Sequence, residues 1–268
     1  MAESGASRVL VERLGRTAAG WVEEFGYYFA LCAESLYWLV AGPFRHQPVR
    51  LGAAVAQMAA IGLSALPILV LLSFAIGVML AIQGIHTLQQ FGAETQVVLG
   101  IALSVTREFG PLITAILIAG RSGSALAARI GSMQINQEID ALRVMGIEPV
   151  RFLAAPVLLA LLVMVPCLSF VADLAALAGG SVYCKLGLGL GYVPYWDAAV
   201  KFVDADDVYQ GLLKSLVFAL VIGLVGLSNG FNVTGGAEGV GRATTRAVVL
   251  AISYVVVFDM LFTYFLNR

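Results

Sequence analysis

Over most of this chain hydrophobic positions neither alternate nor recur at helical intervals; they gather in long runs. Five stretches, 53–82, 97–119, 152–177, 211–230 and 247–266, carry at most two charged residues apiece. Each reaches the ~20 residues a helix needs to cross a hydrocarbon core about 30 Å thick. The first and third are longer than one crossing, so they should tilt or emerge beyond the bilayer. A segment surrounded by lipid must satisfy its own backbone hydrogen bonds. The pattern therefore predicts an all-α polytopic membrane protein with five transmembrane helices in a single domain, 1–268.

The first forty residues read differently. Between 8 and 42, Leu14, Ala18, Trp21, Phe25, Tyr28 and Phe29 recur at helical spacing, while Arg13, Arg16, Glu23 and Glu24 take other positions. Aromatics beside charges on one helix suit a segment lying in the membrane interface. The competing reading is a sixth span over 21–40, which Glu23, Glu24 and Glu34 oppose. The N-terminal stretch lacks a short apolar core followed by a cleavage site, so no signal peptide is expected.

Basic residues set the orientation. Arg8, Arg13, Arg16, Arg45 and Arg50 precede the first span, and Arg121, Arg129, Arg143 and Arg151 lie between the second and third. Arg242 and Arg246 precede the fifth. No Lys or Arg occurs from Gln83 to Gln96, and Lys185 and Lys201 share their loop with four aspartates. The N-terminus is expected in the cytoplasm and the C-terminus outside.

Composition sharpens this and removes several functions. Apolar residues make up 60% and charged residues 12%, with mean hydropathy +0.90; soluble domains hold about 45–50% and about 25%. A net charge of −1 gives no reason to expect nucleic acid. Two histidines and the scattered Cys32, Cys167 and Cys184 suggest neither metal nor disulfide framework. No phosphate loop of the G-x-x-x-x-G-K-[ST] kind is present, because none of Lys185, Lys201 and Lys214 follows glycine. The chain is not expected to be an enzyme or to bind a cofactor, so energy for any work must come from a partner. The glycines in 234–246 are read as a turn between spans four and five rather than a phosphate cradle.

Two constellations remain. The segment 120–151 is long for a helix connection. It predicts a short amphipathic helix over 132–146, capped by Asn136, with Glu138 and Asp140 in its first turn. Ile139, Leu142 and Met145 would form its apolar face, Arg143 its basic end, and Gly146 and Pro149 its stop. Such a helix, presented to the cytoplasm, is what an ABC permease docks into its ATPase. The second constellation is charge inside the spans: Arg107, Glu108, Asp173, Lys214 and Asp259. These are costly in hydrocarbon and should pair. Depth along the helices suggests Arg107–Asp259 and Glu108–Lys214.

At REFGPLITAILIAGRSGSALAARIGSMQINQEIDALRVMGIEP (107–149) the sequence resembles the MlaE/YrbE permeases, and KSLVFALVIGLVGLSNGFNVTGGAEGVGRATTRAVV (214–249) resembles their C-terminal half. Arg129, where many members carry an acidic residue, Asn136-Gln137-Glu138 and Ala155-Pro156 depart from the pattern. The resemblance implies the permease of an ABC system in a bacterial inner membrane, moving phospholipid between inner and outer membranes and supporting outer-membrane lipid asymmetry. It implies a homodimer, an MlaF-like ATPase that binds ATP and Mg, an MlaD-like periplasmic MCE protein and an MlaB-like STAS protein. It further implies that Leu80, Gln83, Thr87, Leu88 and Phe91 line a lipid cavity between two copies, and that Glu138, Asp140, Leu142, Arg143 and Gly146 couple to the ATPase. Alternatives from the residues alone are a permease for a sterol or hopanoid, a non-transporting scaffold for an MCE protein, and a proton-coupled carrier.

Overall fold

The computed structural model describes residues 2–42 and 50–266, with side chains from Gly20 onward except those of Trp21 and Thr95. The expected charge at Arg45 and the side chains of Arg8, Arg13, Leu14, Arg16, Ala18 and Trp21 lie outside the described residues. Among those described, every helix or turn of regular structure is helical. α1 covers Ala2–Ala41 and α2 Leu51–Gln89. The next span is built in pieces: α3 (Val97–Ser104), α4 (Gly110–Ile118) and α5 (Ser124–Ile135), joined by π-turns at Val105–Phe109 and Ala119–Gly123. Then come α6 (Glu138–Val144), a third π-turn at Val150–Ala154, α7 (Ala155–Leu188), α8 (Tyr192–Phe202), α9 (Ala205–Phe231) and α10 (Gly236–Leu266).

Five helical stretches are long and apolar enough to cross a membrane: Leu51–Gln89, Val97–Ile135, Val150–Leu188, Ala205–Phe231 and Gly236–Leu266. The chain is an all-α multi-pass membrane protein. α1 is of similar length but mixes acids with its apolar residues, and it is not one of the five.

The helices outrun the apolar stretches, which corrects several expected boundaries. Residues 120–135, expected as connection, continue the second span as helix. Hydropathy reports where lipid ends, whereas a helix continues until its backbone is broken. That break comes at Gln137, whose φ of 60° is left-handed. The helix expected over 132–146 is therefore divided: 132–135 belongs to α5, and α6 has only seven residues. Asn136 follows α5 instead of capping α6, which has no side-chain cap.

The far end of α6 closes as the residues predict. Gly146 adopts φ 73°, its N–H donates to the Arg143 carbonyl, and the Ile147 N–H donates to the Leu142 carbonyl at 2.9 Å. This is the Schellman arrangement, which needs glycine at the left-handed position. The turn expected over 234–246 is likewise shorter, since α10 begins at Gly236.

α2 and α7 run parallel in close contact. Gly77 lies against the Ala176 carbonyl and Gly179 against the Phe74 carbonyl, so any side chain at either glycine would strike backbone. Close approach through small residues is the usual way membrane helices gain dispersion contact. The main core gathers around Leu158 and Leu161 of α7 and Phe218 and Ile222 of α9. A second cluster at the other end joins α2, α3 and α7 to α8, which inserts the fully buried Tyr195. α1 docks by its C-terminal half: Tyr28 and Leu31 are buried, Phe25 and Tyr28 meet Tyr254 of α10, and Trp38 receives the Arg151 guanidinium.

Candidate functional site: a charged seam inside the bundle

The seam starts from a defect in the second span. Pro111 has no N–H, so a carbonyl one turn earlier loses its helical donor. The turn widens into the π-helix Val105–Phe109, closed by the Gly110 N–H on the Val105 carbonyl. Single π-turns of this kind recur at functional positions because they re-aim the side chains they carry. Here they carry Arg107 and Glu108.

α9 presents one face to this bulge. Asp207, Gly211 and Lys214 follow at helical spacing, and Gly211 lies against the Thr106 carbonyl, where a larger residue would collide. On one side of that contact, Arg107 Nε donates to Asp207 Oδ1 at 2.6 Å, with a second guanidinium nitrogen at 2.5 Å. Asp207 also accepts from the Asp204 backbone N–H at 2.9 Å and closes a capping box on α9. This aspartate thus fixes the start of α9 and the Arg107 side chain together.

On the other side sits Lys214, with only 2% of its side chain exposed. Its ammonium has three protons and three acceptors: Glu108 at 2.7 Å, Asp259 at 3.1 Å and the Thr263 hydroxyl at 3.1 Å. The Thr263 hydroxyl can in turn donate to Glu108 at 2.9 Å or to the Asp259 carbonyl at 2.8 Å. Three spans meet at this one ammonium. An ammonium so buried is tolerable only because each donor is used. With all groups ionised the cluster carries +1 − 2 = −1, so two carboxylates compete for one cation.

The structure thus brings Glu108 to Lys214 and gives Arg107 and Glu108 separate partners. It corrects the other expected pair: Asp259 joins Lys214, and Arg107 reaches Asp207. Depth counted along straight helices could not reveal this, because depth does not fix which way a side chain faces and the π-turn shifts that facing by one residue. Sequence reading also missed Asp207, placed among loop acids, and Thr263. The pattern Asp204-x-x-Asp207 before an apolar run was the available sign of a helix start. Thr263 had no sign beyond lying four residues after Asp259.

The remaining residues are more dispersed. Asp173 is buried in α7 against Gly110, and its Oδ1 has no hydrogen-bond partner among the described residues. Leu80 and Leu88 pack against the second cluster, whereas Gln83, Thr87 and Phe91 are exposed at the end of α2. In α6 the expected apolar face is split. Ile139 and Leu142 turn into the core. Val144, 90% exposed, and Met145 point outward instead, beside Glu138 and the 3.0 Å Asp140–Arg143 pair. Among the described residues, no group of three His, Cys, Asp or Glu is placed to hold a metal ion.

Comparison with known proteins gives this geometry its context. The family model described as "Permease MlaE" matches residues 54–265. A probable ABC transporter permease protein of Rickettsia prowazekii (strain Madrid E) is 32% identical over 216 residues, 81% of this chain and 83% of that protein. A probable ABC transporter permease protein of Synechocystis is 35% identical over 196 residues, covering 73% and 74%. The intermembrane phospholipid transport system permease protein MlaE of Haemophilus influenzae is 35% identical over 210 residues, covering 78% and 80%. The matched region runs from the first turn of α2 to the last turn of α10 and includes every residue of the seam, and the chain belongs to the MlaE permease family.

Proposed function

We propose that this chain is the permease subunit of an ABC transporter that moves phospholipid between the inner and outer membranes, maintaining outer-membrane lipid asymmetry. The observation that carries this reading is the 35% identity, over four-fifths of each chain, to a permease named for intermembrane phospholipid transport. The spans support it: outside the seam they are poor in hydrogen-bonding side chains, as suits an amphipathic cargo better than a sugar or an ion.

In this reading the chain sits in a bacterial inner membrane with its N-terminus cytoplasmic and its C-terminus periplasmic. α1 lies in the cytoplasmic interface. Two copies form a homodimer whose outward cavity is lined by Leu80, Gln83, Thr87, Leu88 and Phe91. An MlaF-like ATPase, which binds ATP and Mg, docks on α6 through Val144 and Met145, with Glu138, Asp140 and Arg143 flanking them. Leu142 and Gly146 hold α6 in shape. An MlaD-like MCE protein receives lipid in the periplasm, and an MlaB-like STAS protein accompanies the ATPase. The seam at Lys214 ties the second, fourth and fifth spans together, so motion of α6 at one end of the second span can reach the other.

The test is reconstitution of the permease with its ATPase and MCE partner in liposomes, reading transfer of fluorescent phospholipid. ATP-dependent transfer, absent with a hydrolysis-dead ATPase, is the expected result. Transfer without ATP, or ATP-dependent transfer of sterol or hopanoid but not phospholipid, would overturn it.

A further inference from the structure

We propose that a groove between α2, α5 and α7, at the bundle end that carries Arg50 and Arg151, binds the headgroup of an anionic phospholipid. The groove has a volume of about 240 Å³ and is separate from the charged seam. Its polar wall is made by Arg121, Ser122 and Arg129 of the second span, facing Gln57 and Ser64 of α2. Its floor is Ile61, Leu126, Val157 and Leu161.

Charge distinguishes this groove. Neither Arg121 nor Arg129 has an acidic partner among the described residues, and no acid lines the groove. The larger cavity near the start of α10 is different: its arginines are matched, Arg246 to Glu24 at 3.0 Å and Arg242 to Glu238 at 3.3 Å. Two guanidiniums against no carboxylate call for an anion with several oxygens, and phosphate geometry suits the guanidinium fork.

Backbone geometry aims one of them. Arg121 lies in the π-turn Ala119–Gly123, and Gly123 packs beneath it against Ile222. Arg129 follows two turns later in α5.

Position argues for a lipid. Arg50 stacks on Phe152 and Arg151 on Trp38, which marks one end of the bundle as basic and aromatic. Ile61 is eleven residues beyond Arg50, about 16 Å along α2 at 1.5 Å per residue. One and two turns beyond Ser64 on the groove face of α2, Ile68 is 45% exposed and Leu71 67%, giving acyl chains an apolar wall below a basic mouth. A soluble partner's acidic loop would have to lie against that same apolar wall. The proposal concerns this chain's own surface and stands whether or not it transports phospholipid.

The test uses the full-length chain in mild detergent, titrated by native mass spectrometry with dioleoyl phosphatidylglycerol or dioleoyl phosphatidylcholine. Arg121→Gln with Arg129→Gln should weaken phosphatidylglycerol binding about tenfold and leave phosphatidylcholine unchanged. Arg121→Lys with Arg129→Lys should restore only part of it, since the charge returns without the guanidinium fork. Should the double glutamine variant aggregate, Arg129→Gln alone, at an exposed position, should still lose about threefold. Undiminished phosphatidylglycerol binding in the glutamine variants overturns the proposal. So does displacement by millimolar inorganic phosphate, which would make this a site for a free anion. Unchanged lipid binding with loss of copurifying ATPase would assign the groove to a protein instead.

Discussion

The second span carries two arginines on two π-turns, and their surroundings are opposite. Arg107 lies among acids: Asp207 holds it, and its neighbour Glu108 takes the Lys214 ammonium. Arg121, one π-turn later, faces a groove without a carboxylate. The same local device, an extra residue in a helical turn, presents a charge in both places. What differs is the helix opposite. α9 offers Asp207 and Lys214 across the first turn, so the charges there lock helices to each other. α2 offers only Gln57 and Ser64 across the second, so the charges there stay available to something outside the chain.

The comparison breaks most severely at Lys214. Lys214→Met should leave Glu108 and Asp259 facing each other with no cation, costing about 3–5 kcal/mol as for other broken buried pairs. A fall in Tm of the detergent-purified chain, or loss of folded protein, checks it; an unchanged Tm would mean the seam carries little of the fold.

Gly211→Val is expected to be next, at about 1–3 kcal/mol, since its side chain must push α9 away from the Thr106 carbonyl. If the seam is a single unit, loss of stability should be accompanied by increased hydrogen exchange at both Thr106–Gly110 and the start of α9.

Arg107→Asp should cost less, about 1–2 kcal/mol, because Arg107 is 35% exposed and solvent shares its charge. The partner assignment is sharpened by rescue: Asp207→Arg should restore much of the loss and Asp259→Arg should not. The reverse outcome would return Arg107 to Asp259.

The smallest effect lies outside the spans, at the α1 contact. Glu34 is pushed above its ordinary 4.5, first by burial and then by the neighbouring Glu148 carboxylate. A raised folded value means the folded state holds the proton longer than the unfolded one. Docking of α1 should therefore weaken as pH rises from 4.5 through that raised value, and strengthen as it falls. Hydrogen exchange of α1 around Tyr28–Trp38 reads this, and Glu34→Gln should flatten the dependence.

Much of the fold was legible because lipid imposes so simple a rule. Five uninterrupted apolar stretches had to be spanning helices, and all five appear within longer helices. Gly146 was legible as a stop because only a left-handed residue closes that turn, and Glu108–Lys214 because two opposite charges in hydrocarbon have few alternatives. The rest was hidden for local reasons. The break at Gln137 sits at a residue type that gives no warning of a positive φ. The three π-turns leave no periodic trace, since each shifts the register by one residue in a span whose apolar residues do not keep to a single face. Burial of Ile139 and Leu142, with exposure of Val144 and Met145, depended on how α6 folds back on α5.

The sequence by itself determined that this is a five-span helical membrane protein of a recognisable kind, because hydrophobic length and two long motifs are linear properties. Only the tertiary structure decided which charges meet. A pair such as Arg107 and Asp207 lies a hundred positions apart in the chain, and its contact depends on a bulge in one helix and a glycine in the other. Those set the distance and rotation between two backbones, which no one-dimensional pattern encodes.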